Sequence, residues 1–66
     1  MIINNEFLRE IRKEKGLTQT QVAKLLNLDK TSISKYESGI HCPSLRVLVL
    51  YSETFDINIE KFLRQS

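Results

Sequence analysis

Four times in this chain a cap-forming residue follows an apolar residue and is followed, four positions later, by another: Ile3-Asn4-Leu8, Leu17-Thr18-Val22, Leu28-Asp29-Ile33 and Ile57-Asn58-Phe62. The cap side chain satisfies free amides of a first helical turn while the two apolar residues clasp across it, so each unit marks a helix start. Gln21, three residues after Thr18, adds a capping box. With four such starts in 66 residues, there is little length left for anything but short helices and tight turns.

The stops agree with the starts. Gly16 follows a first helix that ends in Lys13 and Lys15, and Gly39 follows a third, both suited to a left-handed terminal residue. Ser44, behind Pro43, opens a fourth helix. The reading is an all-α, compact five-helix domain with helices at about 5–15, 19–26, 30–38, 45–55 and 59–64. Strand competes only over Arg46 to Tyr51, where length and the Ser44 cap favour helix. Helical spacing assigns the core to Leu8, Ile11, Val22, Ala23, Leu26, Ile33 and Tyr36, then to Leu45, Leu48, Ser52, Phe55, Phe62 and Leu63.

Composition narrows the function. The chain is short enough to be read as one domain over 1–66. The start, MIINNEF, has no basic flank before an apolar run, and Leu45 to Tyr51 is too short to span a bilayer, so neither secretion nor membrane insertion is expected. A single cysteine, Cys42, cannot pair internally and suits the cytoplasm. His41 and Cys42 are the only residues of their types, too few for a zinc shell or a nucleophile, base and orienter; no metal, cofactor or enzymatic activity is expected. Residues 1–36 carry seven Lys/Arg against four Asp/Glu, whereas residues 37–66 carry three against four. The basic surplus sits in the first half, as a nucleic-acid contact surface there requires.

Within that half, only Asn27-Leu28-Asp29 separates the second and third helices, the length of a helix-turn-helix corner. Ala23 is small where the two must approach, Leu28 and Ile33 plug the angle, and Asn27 tolerates a left-handed backbone. Asp29 as cap makes Lys30, Thr31 and Lys35 project from the side opposite Ile33 and Tyr36. Lysine donates to guanine O6 and N7, and threonine donates, accepts or touches a thymine methyl.

The runs Leu17-Thr18-Gln19-Thr20-Gln21-Val22-Ala23, Ile33-Ser34-Lys35-Tyr36-Glu37-Ser38-Gly39 and Pro43-Ser44-Leu45 together resemble the Xre family of lambda-repressor-like, Cro/CI-type regulators. The resemblance covers about residues 5–64 and implies five helices, a helix-turn-helix at the second and third, and dimeric binding to palindromic double-stranded operators, usually in repression. It implies base-reading roles for Lys30, Thr31 and Lys35, with Ser34 secondary, and phosphate contacts from Gln19, Ser38 and the amides near Ser44. It also implies an ion pair between Arg12 and Glu37. Two departures stand out: Ile40-His41-Cys42 where relatives carry basic residues, and Asn27 where many carry glycine. The competing function on the same fold is a protein-interaction module, such as an antitoxin or anti-regulator, with a regulatory protein as partner. Val47 and Leu50, apolar where family members are commonly polar, are expected with Ile59 to form a homodimer contact.

Overall fold

The computed structural model describes residues 3–63, which fold into four α-helices and one 3₁₀ turn. They are α1 (Asn5–Glu14), α2 (Gln19–Leu26), α3 (Lys30–Ser38), α4 (Leu45–Phe55) and the turn Ile59–Phe62. Asn4 accepts from the Phe7 amide at 3.2 Å, and Ser44 from Val47 at 3.3 Å. At α2 the capping box closes in both directions, Gln21 N–H to Thr18 Oγ1 at 3.1 Å and Thr18 N–H to Gln21 Oε1 at 2.8 Å. Asn27 is left-handed, with φ 57°, which turns the chain from α2 toward α3 within three residues. Gly39 ends α3 at φ 82°, and a β-carbon there would stand 2.8 Å from Asn5 Nδ2, so glycine both permits the turn and lets α3 approach the start of α1.

Among the described residues twelve buried hydrophobic side chains form one core: Ile3, Leu8, Ile11, Val22, Ala23, Leu26 and Ile33 from the first three helices and their approach, then Val47, Leu48, Tyr51, Phe55 and Phe62. Tyr51 is central, its ring 6.0 Å from both Phe55 and Phe62, and Phe7 meets Phe62 edge-on at 5.4 Å. Burying side chains such as Leu8, Ile33 and Leu48 completely contributes roughly 1.5–3 kcal/mol each, which is what holds helices this short.

Three expectations need correction. The fifth helix is a single 3₁₀ turn, in which Lys61 N–H donates to Asn58 O at 2.9 Å and Leu63 N–H to Glu60 O at 3.1 Å. Leu63 then turns extended and pairs with Ile3 in an antiparallel bridge, with Asn4 N–H donating to Phe62 O at 2.8 Å, so the bridge draws the chain out of the helix after one turn. Residue 64, the expected end of that helix, lies outside the described residues. Asp29 stands at the cap position of α3, yet its carboxylate makes no cap bond. Its backbone carbonyl instead accepts from Ser32 at 3.0 Å and Ile33 at 3.3 Å, a tight first turn that already satisfies the amide the carboxylate would have reached.

The buried stripe of α4 is also rotated from the expected one. Val47, Leu48, Tyr51 and Phe55 face inward, whereas Leu45 is 60% exposed and Ser52 only half-buried. The Tyr51 ring explains the rotation: it offers far more apolar area than Ser52, and seating it between Phe55 and Phe62 turns Leu45 outward and Val47 inward.

Candidate nucleic-acid interface

Ile33 is fully buried on α3, so a helical repeat sends Lys30, Thr31, Ser34 and Lys35 outward, and all four are exposed. The inner side of the same helix is held by Ile33 and by half-buried Tyr36 and Glu37. The helix thus shows two ammonium groups and two hydroxyls to solvent from a face that its own core residue fixes in rotation.

The far end of α3 is tied down by one polar cluster. Arg12 Nε donates to Glu37 Oε2 at 2.8 Å, Arg12 Nη2 to Glu37 Oε1 at 3.1 Å, and Arg12 Nη1 to the Leu17 carbonyl at 2.9 Å. Gln19 Nε2 adds a bond to Glu37 Oε1 at 3.3 Å. With the Glu37 side chain only 4% and the Arg12 side chain 14% exposed, the pair is largely out of water, where its bidentate geometry counts. The cluster joins α1, the loop before α2, the first residue of α2 and the last turn of α3. Beneath it the Tyr51 hydroxyl is buried and has no hydrogen-bond partner among the described residues. Burial first, and the Glu37 charge second, push the Tyr51 phenol well above its ordinary value.

The three residues expected at phosphates stand differently. Gln19 spends one amide hydrogen on Glu37 and keeps the other. Ser44 Oγ accepts from Val47, which leaves its hydroxyl proton free. Ser38 Oγ donates to the Lys35 carbonyl at 3.2 Å, so its proton is already used.

Two polar clefts flank α3. On the α1 side a cleft of about 360 Å³ is lined by Arg9, Arg12 and Lys13, by Gln19, and by Ser34, Glu37 and Ser38. On the other side a notch of about 130 Å³ brings Ser32, Lys35 and Tyr36 against His41. Arg9, Lys13 and Ser32 are not among the contact residues expected from the sequence, and His41 stood there only as a departure from the family's basic residues. For Arg9 and Lys13 the signal was there, basic residues four apart beside Arg12, but Glu6, Glu10 and Glu14 on the same helix mask it.

The residues expected at a dimer contact are not equivalent. Val47, at 7% exposure, belongs to the core and is not free to meet a second copy; Leu50 and Ile59 are half-buried against that core. Leu50 borders a groove of about 430 Å³ with Leu26, Leu28, Ser44 and Arg46, whose wall includes an edge of Val47 and does not include Ile59. Cys42 is exposed. No helix among the described residues is long and apolar enough to cross a membrane.

Residues 8–62 match the sequence profile of the helix-turn-helix family. The chain is 41% identical over 59 residues to the HTH-type transcriptional activator BcrR of Enterococcus faecalis, an alignment that covers 89% of this chain and 29% of that protein. The restriction-modification controller protein C.AhdI of Aeromonas hydrophila is similar in structure, with a TM-score of 0.83, 30% identity and 89% of each chain covered. The P22 c2 repressor, solved with a synthetic operator, shares the fold over the full length of both chains at a TM-score of 0.86 and 20% identity.

Proposed function

Because this chain belongs to the helix-turn-helix family of Xre-type, lambda-repressor-like proteins, we propose that it is a transcription regulator that reads double-stranded DNA through the major groove, with α2 and α3 as its helix-turn-helix. The observation that carries this reading is the outward face of α3. Lys30, Thr31, Ser34 and Lys35 are exposed together on a helix whose inner face is fixed by Ile33 and whose end is clamped by Arg12 and Glu37. Groups that read base edges must be held in register, and this helix is held from both sides. Gln19 and Ser44 keep a free donor each for phosphate oxygens beside the groove, and Ser38 joins them on exchange of its bond to Lys35.

The operator is a palindrome bound by a homodimer, and the regulator acts in the cytoplasm, in repression. The domain measures 31 × 25 × 20 Å, so one copy presents one α3 to one groove, and reading two half-sites about 34 Å apart takes two copies. Leu50, at the edge of the apolar groove beside Leu26 and Leu28, is the contact residue for the second copy. The chain spans 29% of the length of the activator it resembles, and that relative is named for activation, so repression rests on the general habit of the fold alone.

Selection of bound sequences from a random duplex pool tests the reading. A palindromic consensus with affinity falling steeply in salt is the expected result. A pool that shows no base preference overturns the operator reading, and tight binding to a protein partner by the same chain would then assign it as a protein-interaction module.

A further inference from the structure

Arg9 and Lys13 have no place in the reading so far, although the basic surplus of the first half depends on them. They lie four residues apart and therefore on one side of α1, and both are exposed. Both line the cleft on the α1 flank of α3, facing Gln19 and Ser34 across it. The third cation of that cleft, Arg12, is committed: its guanidinium donates to both Glu37 oxygens and to the Leu17 carbonyl. Glu37 is neutralised by the same bonds, so the charge left facing the cleft is that of Arg9 and Lys13. Glu6 and Glu10 line a second cleft with them, of about 320 Å³, on the outer side of α1, yet among the described residues neither cation is ion-paired or hydrogen-bonded through its side chain.

We propose that Arg9 and Lys13 form a DNA-backbone cradle on α1, taking phosphodiester oxygens of the strand that borders the groove on the α1 side of α3. The proposal rests on the DNA-binding reading above and extends its footprint to a helix outside the helix-turn-helix. The cleft is open and about 360 Å³ in volume, large enough for a phosphodiester group to reach both side chains. Ser34 of α3 lines the same cleft, so a strand seated there runs beside the base-reading face. The two cations are long, flexible and without side-chain partners among the described residues, which suits charge neutralisation without base readout.

The test measures binding against salt for the full chain, the double variant Arg9→Gln/Lys13→Gln, and the control Lys61→Gln. Lys61 borders the opposite side of α1 with Phe7 and Ile11. Each protein is titrated with a duplex from the selection above and with an unrelated duplex of equal length. Helical circular dichroism is recorded for each, and since all three substituted side chains are exposed it remains that of the wild type. The double variant is expected to weaken on both duplexes alike, with the slope of log K against log salt shallower by about 3.6 for the dimer, two cations lost from each copy, and Lys61→Gln to keep the wild-type slope. An unchanged slope for the double variant, or a loss confined to the selected duplex, overturns the cradle. So does a double variant that keeps the DNA slope and loses binding to polyglutamate, which assigns the surface to an acidic polypeptide. A wild type without base preference defeats the regulator reading instead, while the slope on the unrelated duplex still decides the cradle.

Discussion

Arg12 and Glu37 meet across 25 residues of chain through two hydrogen bonds of 2.8 and 3.1 Å, and the same guanidinium holds the Leu17 carbonyl at 2.9 Å. One side chain thereby fixes where α3 ends relative to where α2 begins. Replacing Glu37 by Gln removes the countercharge and leaves a largely buried cation, at a cost of about 3 kcal/mol. The expected result is a lower urea midpoint for a protein that is still helical, with operator affinity reduced beyond what the unfolded fraction accounts for. A wild-type midpoint together with wild-type affinity would show that the pair does not orient α3.

Lys35→Ala and Thr31→Ala should each relax preference at particular base pairs by about 1–3 kcal/mol, the worth of a good direct contact. Gln19→Ala should instead weaken every duplex alike, because Gln19 reaches Glu37 and the cleft rather than the outward face of α3. Affinity matrices over single-base operator variants separate the two patterns. A uniform loss for Lys35→Ala, with base preference intact, refutes its reading role.

Leu50→Glu places a carboxylate at the mouth of the apolar groove beside Leu26 and Leu28. The wild type is expected to sediment as a dimer at high concentration and the variant as a folded monomer that binds a half-site only weakly. Since Leu50 is half-buried, a melting curve accompanies the measurement to show that the variant remains folded. A monomeric wild type, or a dimeric variant, defeats the proposed contact.

Tyr51→Phe removes a buried hydroxyl that has no partner among the described residues. Stability near neutral pH should hold or rise by up to about 1 kcal/mol, since no hydrogen bond is lost. The alkaline limb is the sharper test. Burial raises the folded-state pKa of Tyr51 above its unfolded value, so the unfolded chain loses this proton first and stability falls as pH climbs past the ordinary tyrosine value. Each pH unit in that window should cost the wild type about 1.4 kcal/mol that the Phe variant does not lose. Parallel alkaline limbs would mean that Tyr51 ionises as easily in the fold as out of it.

The first three helices were legible because their signals are local. Asn4 and Thr18 cap within three residues, and Asn27 and Gly39 advertise their left-handed backbone by residue type. What was not legible depends on partners distant in sequence. The face that α4 buries is set by Tyr51 fitting against Phe62, so a count along α4 alone chose Leu45 and Ser52 over Val47 and Tyr51. The fifth helix stops early because Leu63 pairs with Ile3, at the other end of the described chain. For the candidate site, sequence identified the outward residues of α3 but did not set Arg9 and Lys13 beside them, because only the fold brings α1 against that cleft.

That pairing of Ile3 with Leu63 also fixes where the two ends of the described chain lie. Residues opposite each other in an antiparallel pair are about 5 Å apart, so residues 3 and 63 stand side by side and the four helices between them are drawn into a closed loop.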